Sequence, residues 1–371
     1  MRRRTGLIAA TVGITAAATA AGVAAERRAV RRAVGRARRA PDPYADEPFG
    51  ALHTRGLTVT ADDGVALHVE VEEQVGAGGD DPIPLTVVFV HGFTLSMDCW
   101  HFQRRDLRDL GRLVFYDQRS HGASGRSPRE HATIDQLGRD LQMVLTAAAP
   151  TGPVVLVGHS MGGMSVLALA DQHPELFGSR IVGVALIDTA AGAFADTIFG
   201  IPGVLGRALR PVTPGAIKAM NRRAALLERG RTHGSDLAFV LTRWISYGGD
   251  VPPSLVAFME RMVAGTSVEV MTEFFDTFLS HDKLQALDAL RGIPTLLACG
   301  DRDVITPVKN TQAMAEALPD AELQLVPGAG HMLMLEHADL VNEALRRLVE
   351  RARNRHPVSA PSRRRSRRKS A

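Results

Sequence analysis

The sequence predicts an α/β fold: a mostly parallel central sheet with helices on both faces and a helical cap inserted between two of its strands. Three observations predict it. Short apolar, β-branched runs at 85–90, 113–116, 154–157, 181–187, 295–298 and 323–326 have the composition of strands buried on both faces. Helical patterns at 100–110, 133–149, 164–172 and 338–351 fall among them, and this alternation builds a parallel sheet covered on both sides. Residues 190–287 break the rhythm, with Met- and Phe-rich helical stretches and no strand pattern.

Each element has a local reason. Residues 57–60 and 65–71 alternate around Ala61-Asp62-Asp63-Gly64, a hairpin signal because Asp-Gly accepts the backbone angles of a tight turn. A glycine-rich loop at 76–81 leads into the 85–90 strand. In 100–110, Phe102, Leu107 and Leu110 stand among charged residues at helical spacing. After the 113–116 strand comes a loop (117–128), and the next helix opens with Thr133, a side chain suited to an N-cap. The inserted block carries Met259, Met262, Met271, Phe274, Phe275 and Phe278, and its position between two strands sets it over the carboxyl edge of the sheet. The expected organisation is a basic segment (1–40) with a weak apolar anchor or signal, a linker (41–56), the first part of the sheet domain (57–189), the cap (190–287), the second part (288–355) and a disordered basic tail (356–371). No internal repeat is present.

Charge separates the tails from the middle. Residues 1–39 hold ten Arg and one Glu, and residues 351–371 hold eight Arg, one Lys and no acid, which leaves −14 for residues 40–350 out of a total of +4. An acidic middle disfavours nucleic acid as the main partner. Aromatic residues, at 5%, are too few for the stacking platforms of single-strand binders. Residues 5–25 are uncharged and rich in Ala, Thr and Gly, with Arg2, Arg3 and Arg4 before them and seven Arg closely behind. A cleaved signal, a twin-arginine export signal and an uncleaved anchor all fit that pattern. The heavier basic flank favours an anchor with the domain on the cytoplasmic face, export being the alternative. The tail SRRRSRRKS suits attraction to anionic lipid.

The chemistry concentrates at Gly158-His159-Ser160-Met161-Gly162, which fits G-x-S-x-G with a strand pattern before it and a helix pattern after it. A serine wedged in such a turn is thrust upward at a helix N-terminus, where backbone N–H groups favour developing negative charge. A serine hydroxyl needs a base to take its proton. Of thirteen histidines, His331 alone stands in a glycine-rich loop between the last strand and a helix. His159, inside the turn, is expected to point into the sheet and pack; His121, His281 and His337 are read as surface or structural. For the acid, Asp301 and Asp303 compete in Cys299-Gly300-Asp301-Arg302-Asp303. Asp303, farther out toward His331, is favoured, Asp301 is expected to brace the loop, and Asp188 is a distant third. The backbone N–H of Met161 and that of Phe93, in His91-Gly92-Phe93 after the 85–90 strand, are the expected oxyanion donors.

These residues resemble the α/β-hydrolase family over roughly residues 57–352, in the family's order. His91-Gly92-Phe93 is similar to its oxyanion loop. Asp117-Gln118-Arg119-Ser120-His121-Gly122-Ala123-Ser124 is similar to its D-x-R-G-x-G-x-S loop, with Ser120 in place of the usual glycine, a change that shifts the loop slightly at most. Gly158 to Gly163 resemble the elbow, Gly300 to Asp303 the acid turn and Gly330-His331 the base. Serine at the elbow argues against the branches that use aspartate there. The resemblance implies a serine hydrolase or a cofactor-free haloperoxidase-like relative.

Cys99 and Cys299 lack metal-ligand spacing, and no glycine-rich run precedes a lysine as in a phosphate loop, so no metal and no cofactor are expected. The reading is a carboxylic-ester hydrolase with an apolar substrate, the Met and Phe of the cap suggesting an apolar pocket. Haloperoxidase-like or perhydrolase activity, C–C bond hydrolysis, and a non-catalytic binding protein on the same fold remain as alternatives.

Overall fold

The computed structural model describes Gly35 and residues 41–74, 85–192 and 236–355. The expected anchor or signal, the basic tail, the 76–81 loop and much of the expected cap (193–235) lie outside these residues. Among the described residues no helix is long and apolar enough to cross a membrane.

In chain order the elements are β1 (Gly56–Thr60), β2 (Ala66–Glu72), β3 (Thr86–Val90), α1 (His101–Asp106), β4 (Arg112–Tyr116), α2 (Ile134–Ala148), β5 (Val154–His159), α3 (Met161–Gln172) and β6 (Ile181–Ile187). After them come α4 (Asp236–Ser246), α5 (Pro253–Gly265), α6 (Val268–Glu273), α7 (Phe275–Ser280), β7 (Thr295–Gly300), α8 (Val308–Ala317), β8 (Glu322–Val326), α9 (Leu333–Glu336) and α10 (Ala338–Arg355). The strands form one eight-stranded sheet in the order β1-β2-β4-β3-β5-β6-β7-β8. The β1–β2 hairpin joins β4 antiparallel, and every other pairing is parallel.

Strands β3 to β7 bury both faces because adjacent side chains feed different cores, whereas β8, expected to be buried likewise, is an edge strand with Leu323 and Leu325 exposed. Val87 and Phe89 belong to a cluster that includes residues of α1, α5 and α10, while Val88 and Val90 belong to one that includes residues of α2 and α3. Thr133 caps α2, its hydroxyl accepting from the Gln136 N–H at 3.1 Å.

Three further elements depart from the expected pattern. The helix expected over 100–110 begins as a 3₁₀ turn (Met97–Trp100) capped by Ser96 and ends at Asp106. It stops there because the chain must turn into β4: Gly111 has φ +135, and a Cβ on it would lie 2.3 Å from the Leu85 carbonyl oxygen. Helix α8 gave no sequence signal because it buries only Thr311 and Met314, too few for an apolar stripe. The stretch expected to be a linker is packed: the Phe49 ring stacks on Phe258 of α5 at 4.6 Å, and Asp42 accepts from the Ser254 hydroxyl at 2.8 Å.

The 117–124 loop folds onto its own side chains. Asp117 accepts from the N–H groups of Met97 and Ala123, each at 2.8 Å, and Ser124 donates to the Asp117 carbonyl at 2.6 Å. Ser120 sits at φ 64, the left-handed region that favours glycine, and its hydroxyl oxygen offsets that cost by accepting from the Ser127 N–H at 2.8 Å. Arg119 is wholly buried. It donates twice to Asp140, at 2.6 Å each, and twice to Asp63 in the β1–β2 turn, at 2.7 and 3.0 Å. This fork ties the hairpin turn to α2. Removing one partner from a buried pair leaves charge uncompensated. Asp140→Ala removes two of these four bonds but leaves the pair with Asp63, so it is expected to lower the unfolding free energy in urea by about 2–3 kcal/mol, still beyond a surface substitution.

Candidate active site

The site assembles at the carboxyl ends of β3, β5, β6, β7 and β8. Ser160 follows β5 at φ 52 and ψ −120, a strained conformation for a non-glycine residue. Its hydroxyl makes no capping bond to α3 and so remains free for another partner. Glycine makes the turn possible. A Cβ on Gly158 would lie 2.7 Å from the Gly162 carbonyl oxygen, and one on Gly162 would lie 2.1 Å from that of Val90. Gly92 approaches from the other side, where a Cβ would come within 3.1 Å of the Ser160 Cβ.

The fold brings Ser160, His331 and Asp303 together. The Ser160 Oγ lies 3.0 Å from His331 Nε2, and His331 Nδ1 lies 2.8 Å from Asp303 Oδ2. An ionised Asp303 only accepts, so the proton of a neutral His331 sits on Nδ1 and Nε2 faces the serine hydroxyl as acceptor. Asp303 is fully engaged: Oδ1 accepts from the N–H groups of Ile305 (2.7 Å) and Thr306 (3.0 Å), and Oδ2 also takes the Thr306 hydroxyl at 2.6 Å. Burial works against its charge, but His331 and Thr306 outweigh that and hold the carboxyl below its ordinary range. Asp301, the competing acid, is turned away and accepts from the Gly328 N–H at 2.6 Å, bracing the acid turn against the loop that carries His331.

Phe93 follows Gly92, the glycine that closes on Ser160, and Met161 opens α3 directly after Ser160; neither backbone N–H has an acceptor among the described residues. The Phe93 ring meets Phe278 at 5.0 Å and Phe274 at 6.0 Å between centroids, so helices inserted after β6 contact the loop beside the serine.

Several supporting residues escaped the sequence reading. His159 does more than pack: its Nε2 donates to the His331 carbonyl at 2.8 Å, fixing the base loop from the elbow side. Asp188, fully buried at φ 44, accepts from the Gly300 N–H at 3.0 Å and the Leu333 N–H at 3.2 Å, so one carboxyl joins the acid turn to the base loop. Burial and the neighbouring Asp303 push that carboxyl well above its ordinary range. Glu336 gathers the N–H groups of Gly248 (3.2 Å), Gly249 (2.8 Å) and Gly330 (2.7 Å), tying the insertion to the base loop. Their partners are backbone groups remote in sequence, which no motif records.

One group among the described residues has the makings of a metal site: Asp188, Cys299 and Asp303, with ligand atoms within 4.8 Å of one another. The donors do not suit it. Asp303 is held by His331 and Asp188 by two N–H groups, while burial pushes the Cys299 thiol up and keeps it protonated.

A sequence model of the alpha/beta hydrolase family matches residues 87–344. A non-heme haloperoxidase of Rhodococcus erythropolis is 27% identical over 266 residues, 71% of this chain and 92% of that protein. The 3-oxoadipate enol-lactonase 2 of Acinetobacter baylyi is 27% identical over 296 residues, 79% and 96% of the two chains. The structure of a thermophilic esterase from Thermogutta terrifontis superposes with a TM-score of 0.62 at 25% identity, covering 81% of this chain and 99% of that one.

Burial makes the site sensitive to acid. Desolvation lowers His91 from 6.5 to about 4, and His121 and His159 from 6.5 to about 3. Between pH 6.5 and about 4 the unfolded chain therefore binds protons at these imidazoles that the folded one refuses, and their contribution to stability falls as pH falls, while the raised Asp188 carboxyl acts in the opposite direction. The ring resonances of His91, His121 and His159 in an NMR titration should stay unchanged from about pH 7.5 to 5.5; a transition near pH 6.5 would contradict neutral buried imidazoles.

Proposed function

The chain belongs to the alpha/beta hydrolase family, and on that premise we propose that it is a serine hydrolase cleaving a carboxylic ester with an apolar acyl or alcohol group. The observation that carries the reading is the 3.0 Å contact between Ser160 Oγ and His331 Nε2, with Nδ1 held on Asp303. In this scheme Oγ attacks the ester carbonyl carbon as its proton passes to Nε2. The Phe93 and Met161 N–H groups receive the developing oxyanion. The bond to the alcohol oxygen then breaks, and the alcohol departs with the proton held by His331. Water attacks the acyl-enzyme as it gives a proton to Nε2; the acyl carbon–Oγ bond then breaks, Oγ takes that proton back, and the acid leaves. Asp303 orients the imidazole and stabilises its charged form without taking the proton.

An apolar substrate is supported by the surroundings of the serine. Met161, Met164, Val270 and Phe274 form one apolar cluster against which Phe93 and Phe278 pack. Methionine and phenylalanine adapt to an acyl chain better than to a charged group. The apolar run at 5–25 and the basic flanks and tail support attachment to a membrane from its cytoplasmic face, with export as the alternative.

A second reading is favoured by the haloperoxidase similarity: hydrogen peroxide replaces water, attacks the acyl-enzyme, and the acyl group leaves as a peracid. Peracid formation from acetate and peroxide, measured beside ester hydrolysis, decides between the two.

Ser160→Ala is expected to lower kcat on p-nitrophenyl esters by about 10⁶-fold without loss of folded protein. Turnover unchanged in that variant would remove Ser160 from the mechanism.

A further inference from the structure

The His91 side chain touches no reacting atom in the scheme above, yet it is fully buried and doubly hydrogen-bonded beside the oxyanion loop. Its Nε2 lies 2.9 Å from the backbone nitrogen of Gln118. A backbone N–H can only donate, so Nε2 carries the lone pair and the proton of the neutral ring is on Nδ1. Nδ1 lies 2.7 Å from the Gly92 carbonyl oxygen and therefore donates to it. The Leu95 N–H reaches the same oxygen at 3.3 Å.

That bond has a directional consequence. No peptide among the described residues is cis, and in a trans peptide the C=O and the following N–H point opposite ways. Holding the Gly92 oxygen toward the His91 ring thus aims the Phe93 N–H away from it. This N–H has no acceptor among the described residues, and the glycine before it presses against Ser160.

Gln118 extends the lock to the second donor. Its Nε2 donates to the His91 carbonyl at 2.5 Å, which turns Oε1 toward the Ser165 hydroxyl at 2.8 Å. The Ser165 hydroxyl also lies 2.9 Å from the Met161 carbonyl, in the first turn of α3. One buried chain of side chains therefore connects the two backbone segments that carry the Phe93 and Met161 N–H groups.

We propose that His91 and Gln118 are positioning residues, which hold the Gly92–Phe93 peptide so that its N–H faces the oxyanion formed at Ser160. The inference rests on the serine-hydrolase reading. It assigns the loop's geometry to a hydrogen-bonded lock and not to the glycine alone.

Two substitutions separate the contacts of the ring. His91→Asn places an amide nitrogen where Nδ1 stands and keeps a donor for the Gly92 oxygen. His91→Gln places its terminal group near Nε2 and leaves that oxygen without its side-chain donor. Steady-state kinetics on p-nitrophenyl butyrate, normalised by phosphonate titration of active serine and paired with thermal unfolding, reads both effects in the full chain. His91→Asn should keep kcat within about tenfold of wild type, while His91→Gln should lose about 10²- to 10³-fold in kcat with KM little changed. Equal kcat in the two folded variants overturns the proposal, as does a change confined to melting temperature. If His91→Gln does not fold, Gln118→Met tests the same lock: a lower kcat at constant KM supports it, and an unaltered kcat overturns it. Absence of turnover in the wild type overturns the hydrolase reading itself, so the two failures are distinguishable.

Discussion

At the first turn of α3 the backbone runs against the end of β3 with no room for a methyl group: a Cβ on Gly162 would stand 2.1 Å from the Val90 oxygen and 2.7 Å from that of His91. This approach sets the rest of the site. It forces Ser160 into a positive φ, which costs on the order of 1–3 kcal/mol and persists only where surrounding contacts over-determine it. Here the Ser160 N–H donates to the Ile187 oxygen at 3.0 Å, and its carbonyl accepts from the Thr189 hydroxyl at 2.7 Å, so β6 clamps the turn from the other side. The strain is held by backbone and hydroxyl partners, which leaves the serine side chain to His331.

Around that fixed turn the loops are joined in pairs. Asp301 links the acid turn to the base loop, Asp188 joins both from below, and Glu336 fastens the base loop to the inserted helices. His159 closes the circuit by donating from the elbow to the carbonyl of His331. Most of these bonds end on backbone groups, so each fixes a stretch of main chain as well as a side chain. The separation between Ser160 and His331, 171 residues apart in sequence, is thus set by several short tethers besides the contact between the two side chains.

Strands β3 to β7 are readable because burial on both faces leaves continuous apolar runs, and the elbow is readable because a strand pattern precedes G-x-S-x-G and a helix pattern follows it, even though Gly162 answers to Val90, remote in sequence. Asp303 was distinguishable from Asp301 only by reach along the turn, and their different partners now give the physical reason: one carboxylate meets an imidazole, the other a backbone N–H. Gln118, Asp188 and Glu336 were not readable as tethers, since their partners are peptide groups that any residue supplies. Helix α8 leaves no stripe because it lies on the surface, and Phe49 reads as part of a linker because its partner, Phe258, is remote in sequence.

The central claim is that the hydroxyl of Ser160, deprotonated by His331, is the group that forms the covalent intermediate. Mass-spectrometric mapping of the wild-type chain after a fluorophosphonate reaction tests it most directly. The account predicts a single stoichiometric adduct on the peptide containing Ser160, with no labelling after prior unfolding. An adduct on another residue, or none on folded protein that still hydrolyses esters, would contradict it.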